Sequence, residues 1–255
     1  MSGTIHEDTI RGFEYLVTEQ LIGIKQGNDQ VAADFARGIR ARGSPKIEVD
    51  NDGTHHPDGS FAHKDATELG VILEVSHSQQ RQDLPFLADD YILGSNGLTQ
   101  AVIGIDIAYQ GKEAKVIVWR PKETKQKIST KMTFEGTFRD INGDLVNGNQ
   151  KLWIWLKDFG NKLDCPGIQK VKGLITISFS QLYELVQESE AFDQTRKRRR
   201  GSDEVLEGRS GKKVKDKMVR PSPERLTASI EEQFKTAEEE VEKQLSDQDG
   251  DYIPE

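Results

Sequence analysis

Asp58 in His56-Pro57-Asp58-Gly59-Ser60-Phe61 and Glu74 in Gly70-Val71-Ile72-Leu73-Glu74-Val75-Ser76, with fifteen residues between the two acids, decide how this chain is read. Each acid stands at the end of a strand-like run, and a short polar bend separates the runs. The second run is apolar on both faces, as expected of a strand buried in the middle of a sheet. An acid closing such a run needs a partner or a metal once it is buried. Arg120 and Lys64 are the basic candidates, and Mg²⁺ or Mn²⁺ is the inorganic one, since both ions prefer oxygen ligands. Pro57-Asp58-Gly59-Ser60 is by residue type also an ordinary turn.

Working outward, Ile10, Phe13, Leu16, Val17, Leu21 and Ile24 recur near helical spacing and predict a helix from about Glu7 to Lys25. Asn28 or Asp29 can cap a second helix running through Arg40. Lys46 to Asp50 reads as a strand, Asn51-Asp52-Gly53 as a hairpin turn, and a second strand carries Pro57-Asp58. Leu84, Leu87, Ala88, Tyr91 and Ile92 form a helix stripe, with Asp83 as N-cap and Pro85 in the first turn. Strands follow at Ala101–Tyr109 and Ala114–Trp119, around a Gln110-Gly111-Lys112 turn. Shorter strands are expected at Met132–Phe138, Leu152–Leu156 and Leu174–Phe179, then a helix from Gln181 to about Glu190 capped by Ser180. Trp153 and Trp155 alternate with Leu152, Ile154 and Leu156 and read as sheet packing rather than a base-stacking platform. The expected class is α/β (α+β) with a mixed sheet, and no internal repeat is visible.

Pro57-Asp58, Glu74-Val75-Ser76 and the helix–strand order around them resemble the PD-(D/E)XK nuclease superfamily, over about residues 7–120. The stretch Glu74-Val75-Ser76-His77-Ser78-Gln79, with Leu84, Ala88-Asp89-Asp90-Tyr91 and Ile103-Gly104-Ile105-Asp106, is similar to uncharacterised fungal members. The resemblance implies a restriction-endonuclease-like αβββαβ core and metal-dependent phosphodiester hydrolysis, with nucleic acid, DNA first, as partner. It assigns metal binding to Asp58, Glu74 and the Val75 carbonyl. An additional acid from the first helix falls to Glu14 or Glu19, of which Glu14 borders the apolar stripe. Ser76 stands where the family carries a catalytic lysine and cannot supply positive charge, so His77, Gln79 and Arg81 are the substitutes within reach. The alternative is a non-enzymatic nuclear DNA-binding or protein-interaction module on the same fold. His55, His56, His63 and His77 lie near the acids, but their spacing fits no standard zinc site. Asp106 reads either as a satisfied core acid or as a group supporting the site.

With 35% hydrophobic and 31% charged residues and a mean hydropathy of −0.66, the chain is polar for its length. Its single Cys165 excludes an internal disulfide and a cysteine zinc cluster. No apolar run reaches the roughly 20 residues a membrane span needs, and the start carries no leader-like apolar region. Charge divides the chain: residues 1–195 carry −7, 196–220 carry +7 and 221–255 carry −8. This gives a domain over 1–190 with a core at about 7–120 and a β-rich extension at 122–190. A basic linker at 195–221 is expected to be disordered, and in the acidic tail at 222–255 the thin stripe Ile230, Phe234, Ala237, Val241 and Leu245 reads first as a transient helix, with a weak coiled coil or a helix binding a protein partner through 222–246 as the alternatives. Arg196, Lys197, Arg198, Arg199 and Arg200, followed by Lys212, Lys213 and Lys215, have the form of a bipartite signal read by a nuclear import receptor, which implies a nuclear location. Ser202 beside the first cluster is a candidate phosphorylation site that would mask it.

Overall fold

The computed structural model describes residues 3–49, 53–76, 83–108, 112–124 and 127–207, the last nine as backbone only. The expected turns at Asn51-Asp52 and Gln110-Gly111 lie outside the described residues. The chain divides into two compact units, Met1–Ser202 and Asp203–Glu255. Only a helix end of the second is described.

α1 (Thr4–Lys25) buries Ile10, Phe13, Val17 and Leu21, the stripe its periodicity predicts, and starts three residues ahead of expectation. α2 spans Gln30–Gly38, and the Asp29 side chain accepts the Ala32 N–H at 3.1 Å as an N-cap should. The expectation that α2 runs through Arg40 is corrected. Ile39–Ala41 form β1, pairing antiparallel with β4 (Gly59–His63), so ladder bonds displace the last helical turn. β2 (Ile47–Val49) and β3 (Gly53–His55) make a hairpin separate from the main sheet, and Gly53 takes φ +94° at its turn. Pro57-Asp58 lies not in a strand but between β3 and β4, with Asp58 immediately before β4. Proline offers no N–H to a ladder.

β5 (Val71–Ser76) is buried along its whole length, as the apolar run requires. Leu84–Gly94 form α3, with Pro85 in its first turn; Asp83 occupies the N-cap but its side chain makes no capping bond. The helix carries the chain over to β6 (Ala101–Ile107), which pairs parallel with β5. β7 (Ala114–Glu123) and β8 (Ile128–Arg139) complete a six-stranded mixed sheet in the order β1-β4-β5-β6-β7-β8. Strand alternation divides the core. Val71, Leu73, Val75, Ile103 and Ile105 pack with α1, while Ile72, Val102 and Trp119 pack with Leu84, Ala88, Tyr91 and Ile92 of α3. Among the described residues the architecture is mixed α+β, a six-stranded mixed sheet with four α-helices.

β9 (Lys151–Trp155) and β10 (Leu174–Ser178) pair as a second, two-stranded sheet. Leu152, Ile154, Ile175 and Ile177 face the core, but Trp153 and Trp155 are about half exposed, which corrects their reading as sheet packing. α4 (Phe179–Glu207) is longer than expected and begins with a capping box. The Gln181 N–H bonds to Ser178 Oγ at 3.2 Å and the Ser178 N–H to Gln181 Oε1 at 2.9 Å, so Ser178 is the cap rather than Ser180. Arg196, Lys197 and Arg198 therefore ride on a helix, not on the disordered spacer expected from Thr195. An Asp193–Lys197 pair at 2.7 Å and an Arg196–Thr4 bond at 2.9 Å hold that turn. Lys212, Lys213, Lys215 and 222–255 lie outside the described residues. Among the described residues no helix is long and apolar enough to cross a membrane.

Candidate functional site

Gly59 pairs with Leu73 in the antiparallel β4–β5 ladder, so continuing the register by one residue sets Asp58 opposite Glu74. Asp58 sits at a strand entrance, where its Oδ2 accepts the Val75 N–H at 2.7 Å. The same oxygen meets His6 Nε2 at 3.0 Å. That hydrogen bond is the main reason the His6 imidazole is held above its ordinary value, burial opposing it. A protonated His6 places one positive charge against Asp58.

Glu74 projects to the α3 side of the sheet and is 7% exposed. The Tyr91 hydroxyl donates to its Oε1 at 2.7 Å. Desolvation pushes the carboxyl up to about 8; the Tyr91 bond resists this, the charge and hydrogen bond of Asp58 add to it, and the His6 charge opposes it. Tyr91 is raised in turn, by its own burial and by the acid it serves. Two carboxyls in one partly dry site thus resist being ionised together.

Glu14 lies against Gly59 on the α1 face of the sheet, the face opposite the Glu74 side chain. A Cβ placed on Gly59 would stand 3.4 Å from Glu14 Oε1, and burial raises the Glu14 carboxyl. Glu19 is exposed, as its position on the outer helix face predicts. Val75 contributes its N–H to the arrangement through Asp58. Ser76 is buried on β5 opposite Asp106 of β6, and its Oγ has no hydrogen-bond partner. Gln79, His77 and Arg81 lie outside the described residues.

The proposed basic partners of Glu74 are occupied elsewhere. Arg120 pairs with Asp158 at 2.8 Å and Lys64 with Asp65 at 2.7 Å. Two of the candidate histidines are engaged elsewhere: His55 bonds Asp90 at 3.0 Å, while His63 stacks on Phe35 with centroids 4.3 Å apart. Sequence reasoning missed His6 and Tyr91. Tyr91 was legible as part of the α3 stripe, but its hydroxyl could be assigned only once that stripe was known to cover the Glu74 face.

Among the described residues no group of three or more His, Cys, Asp or Glu is arranged to hold a metal ion. Mg²⁺ commonly uses only one or two carboxylates and keeps several waters. The oxygen donors Asp58 and Glu74, whose joint ionisation a cation would favour, fit that mode of binding. No protein-family model, curated protein or solved structure matches the chain.

Proposed function

We propose that Asp58 and Glu74 form a Mg²⁺- or Mn²⁺-dependent site for phosphodiester hydrolysis on a restriction-endonuclease-like core. The observation that carries this reading is Glu74 itself, buried directly across the ladder from Asp58 and pushed up to about 8. Acid pairs kept at such expense are characteristic of working sites. The order of elements supports it too: α1 and α2, then β1, β4 and β5 of the main sheet, then α3 and the parallel β6, with the β2–β3 hairpin inserted. When bound, a divalent cation supplies a water of lowered pKa and neutralises charge on phosphate. The chain's own residues prepare the ligands. Tyr91 fixes one oxygen of Glu74, and the Val75 N–H and His6 both hold Asp58 Oδ2. The Val75 carbonyl is the backbone oxygen assigned to the site, whereas Glu14, on the α1 face beside Gly59, would have to move to join it.

A second reading, a nucleic-acid-binding module that does not hydrolyse, is favoured by Ser76, which brings no charge beside Glu74. Cleavage of single- and double-stranded DNA and RNA with Mg²⁺ or Mn²⁺ separates the two. Activity that disappears in both Asp58→Ala and Glu74→Ala establishes hydrolysis, whereas no activity above those variants on any substrate leaves the binding module. Nuclear import through 196–215 belongs to the same reading, although an import groove reads extended chain, so this end of α4 would have to unwind. A fluorescent fusion whose distribution is unchanged by replacing Lys212, Lys213 and Lys215 with Ala would argue against import.

A further inference from the structure

The β9–β10 sheet shows solvent an unusual face. Lys151, Trp153 and Trp155 alternate outward along β9, with Trp153 52% and Trp155 47% exposed. Opposite them on β10 stand Ser178, Thr176 and Leu174. Cations surround the rings. Lys157 Nζ lies 5.7 Å from the Trp155 ring centroid, and Arg120 donates to the Trp153 carbonyl at 3.2 Å. Asp158 is buried and bonded to Arg120 and to the Trp155 N–H, so it offsets Arg120 and leaves Lys151 and Lys157 as the outer charges of this face. Phe134 backs Trp153 from the main sheet, with centroids 6.4 Å apart. Neither indole is needed to close the core, because Leu152, Ile154 and Leu156 do that from the opposite phase of the strand.

We propose that this face is a stacking platform for single-stranded nucleic acid. Every base has a π-face, so adjacent exposed indoles bind strands without reading sequence, and nearby lysines follow the phosphates. The spacing suits a strand. Residues two apart in a β-strand are separated by about 6.8 Å, twice the ~3.4 Å rise per nucleotide of a stacked strand, which leaves room for one base between the two ring positions. A duplex hides its base faces and gains only the phosphate contacts. Residues 1–195 carry a net −7, so this aromatic and basic face is a local exception to the charge of the domain. As a statement of which nucleic acid the Asp58–Glu74 site would take, the proposal rests on the hydrolytic reading. As a binding surface it can be measured separately.

The test is equilibrium titration of the full chain in chelator, where divalent-dependent hydrolysis is switched off. Trp119 is 6% exposed, so quenching of the emission of the three tryptophans reports mainly on Trp153 and Trp155. An oligothymidylate of about 12 nucleotides should quench, and binding should weaken as salt rises. Trp153→Ala and Trp155→Ala should each lower affinity roughly five- to hundredfold, while Trp153→Phe stays within a few-fold of wild type. Lys151→Glu should weaken binding and flatten its salt dependence. Unchanged affinity in both alanine variants overturns the proposal, as does equal binding of a duplex of the same length or of a proline-rich peptide. Strand binding that passes these tests in a protein that never cleaves with Mg²⁺ or Mn²⁺ would sink the hydrolytic reading and leave the platform standing.

Discussion

Replacing Glu74 by glutamine should stabilise the metal-free protein. The ordinary carboxyl value of 4.5 applies to the unfolded chain, and the folded value is about 8. Between these limits the native state binds more protons than the unfolded state, so wild-type stability falls as pH rises through that window and levels off above it. At pH 7 the unfolded carboxyl is about 2.5 units past its midpoint, which at roughly 1.4 kcal/mol per unit amounts to about 3 kcal/mol. Glutamine keeps the shape, can accept the Tyr91 hydroxyl bond and can donate to Asp58, without ionising. For a chain of this size about 3 kcal/mol corresponds to roughly 6–12 °C in melting temperature. Thermal melts of both proteins in chelator, from pH 5 to 9, should show a gap that is small at pH 5, opens through pH 7 and is constant above 8. A gap that does not change with pH, or a less stable glutamine variant at pH 7, refutes the account of Glu74. Repeating the melts with Mg²⁺ adds a functional arm: a cation held at 100 times its dissociation constant contributes about 2.7 kcal/mol, to wild type and not to Glu74→Gln.

Two glycines test close packing. A Cβ on Gly70 would stand 2.5 Å from the Asp158 carbonyl oxygen, against backbone that cannot swing aside, so Gly70→Ala should cost several kcal/mol or prevent folding. On Gly38 the obstacle is the His63 ring, with Cδ2 at 2.5 Å, and Gly38→Ala should cost about 1–3 kcal/mol; denaturant midpoints compare the two. His63 itself is held below its ordinary 6.5 by burial, so the unfolded state takes up protons first and stability is lost as pH falls below 6.5. The melting-temperature difference between wild type and His63→Leu should therefore move in favour of the variant as pH drops from 7 to 5. Asp158→Ala leaves Arg120 and the Trp155 N–H without their acceptor and should cost roughly 3–5 kcal/mol by chemical denaturation.

The Asp58–Glu74 juxtaposition was legible because it needs only two strands and a turn, and period-two alternation does the rest. α1 and α3 were legible because each repeats its apolar positions long enough to fix a period, and β5 because a short apolar run marks a strand buried on both faces. β1 was not. Ile39-Arg40-Ala41 is too short to show alternation, and only its ladder with β4 makes it a strand. Leu152-Trp153-Ile154-Trp155-Leu156 is apolar in both phases, so the sequence could not say which side faces out. Residues 193–198 of α4 carry no apolar stripe; the Asp193–Lys197 pair holds that turn, and a hydrophobic reading takes such a segment for a spacer. His6 escaped because the helix was started one residue after it.

These misses bear on what the site can do. The expected site lacked a cation at position 76, and the structure brings an imidazole, His6 of α1, to the other side of the acid pair. His6 holds Asp58 from the helix side, and Tyr91 holds Glu74 from the α3 side. Both acids are therefore already hydrogen-bonded and oriented without metal. A divalent cation gains nothing from Asp58 unless it outbids the imidazole, and nothing from Glu74 unless it displaces the proton. Occupancy must release protons and should favour alkaline conditions. A chain that needed only a packed sheet would be more stable with an uncharged side chain at 74. The acid makes physical sense where its proton can be exchanged for a metal ion, which is what the proposed site requires of it.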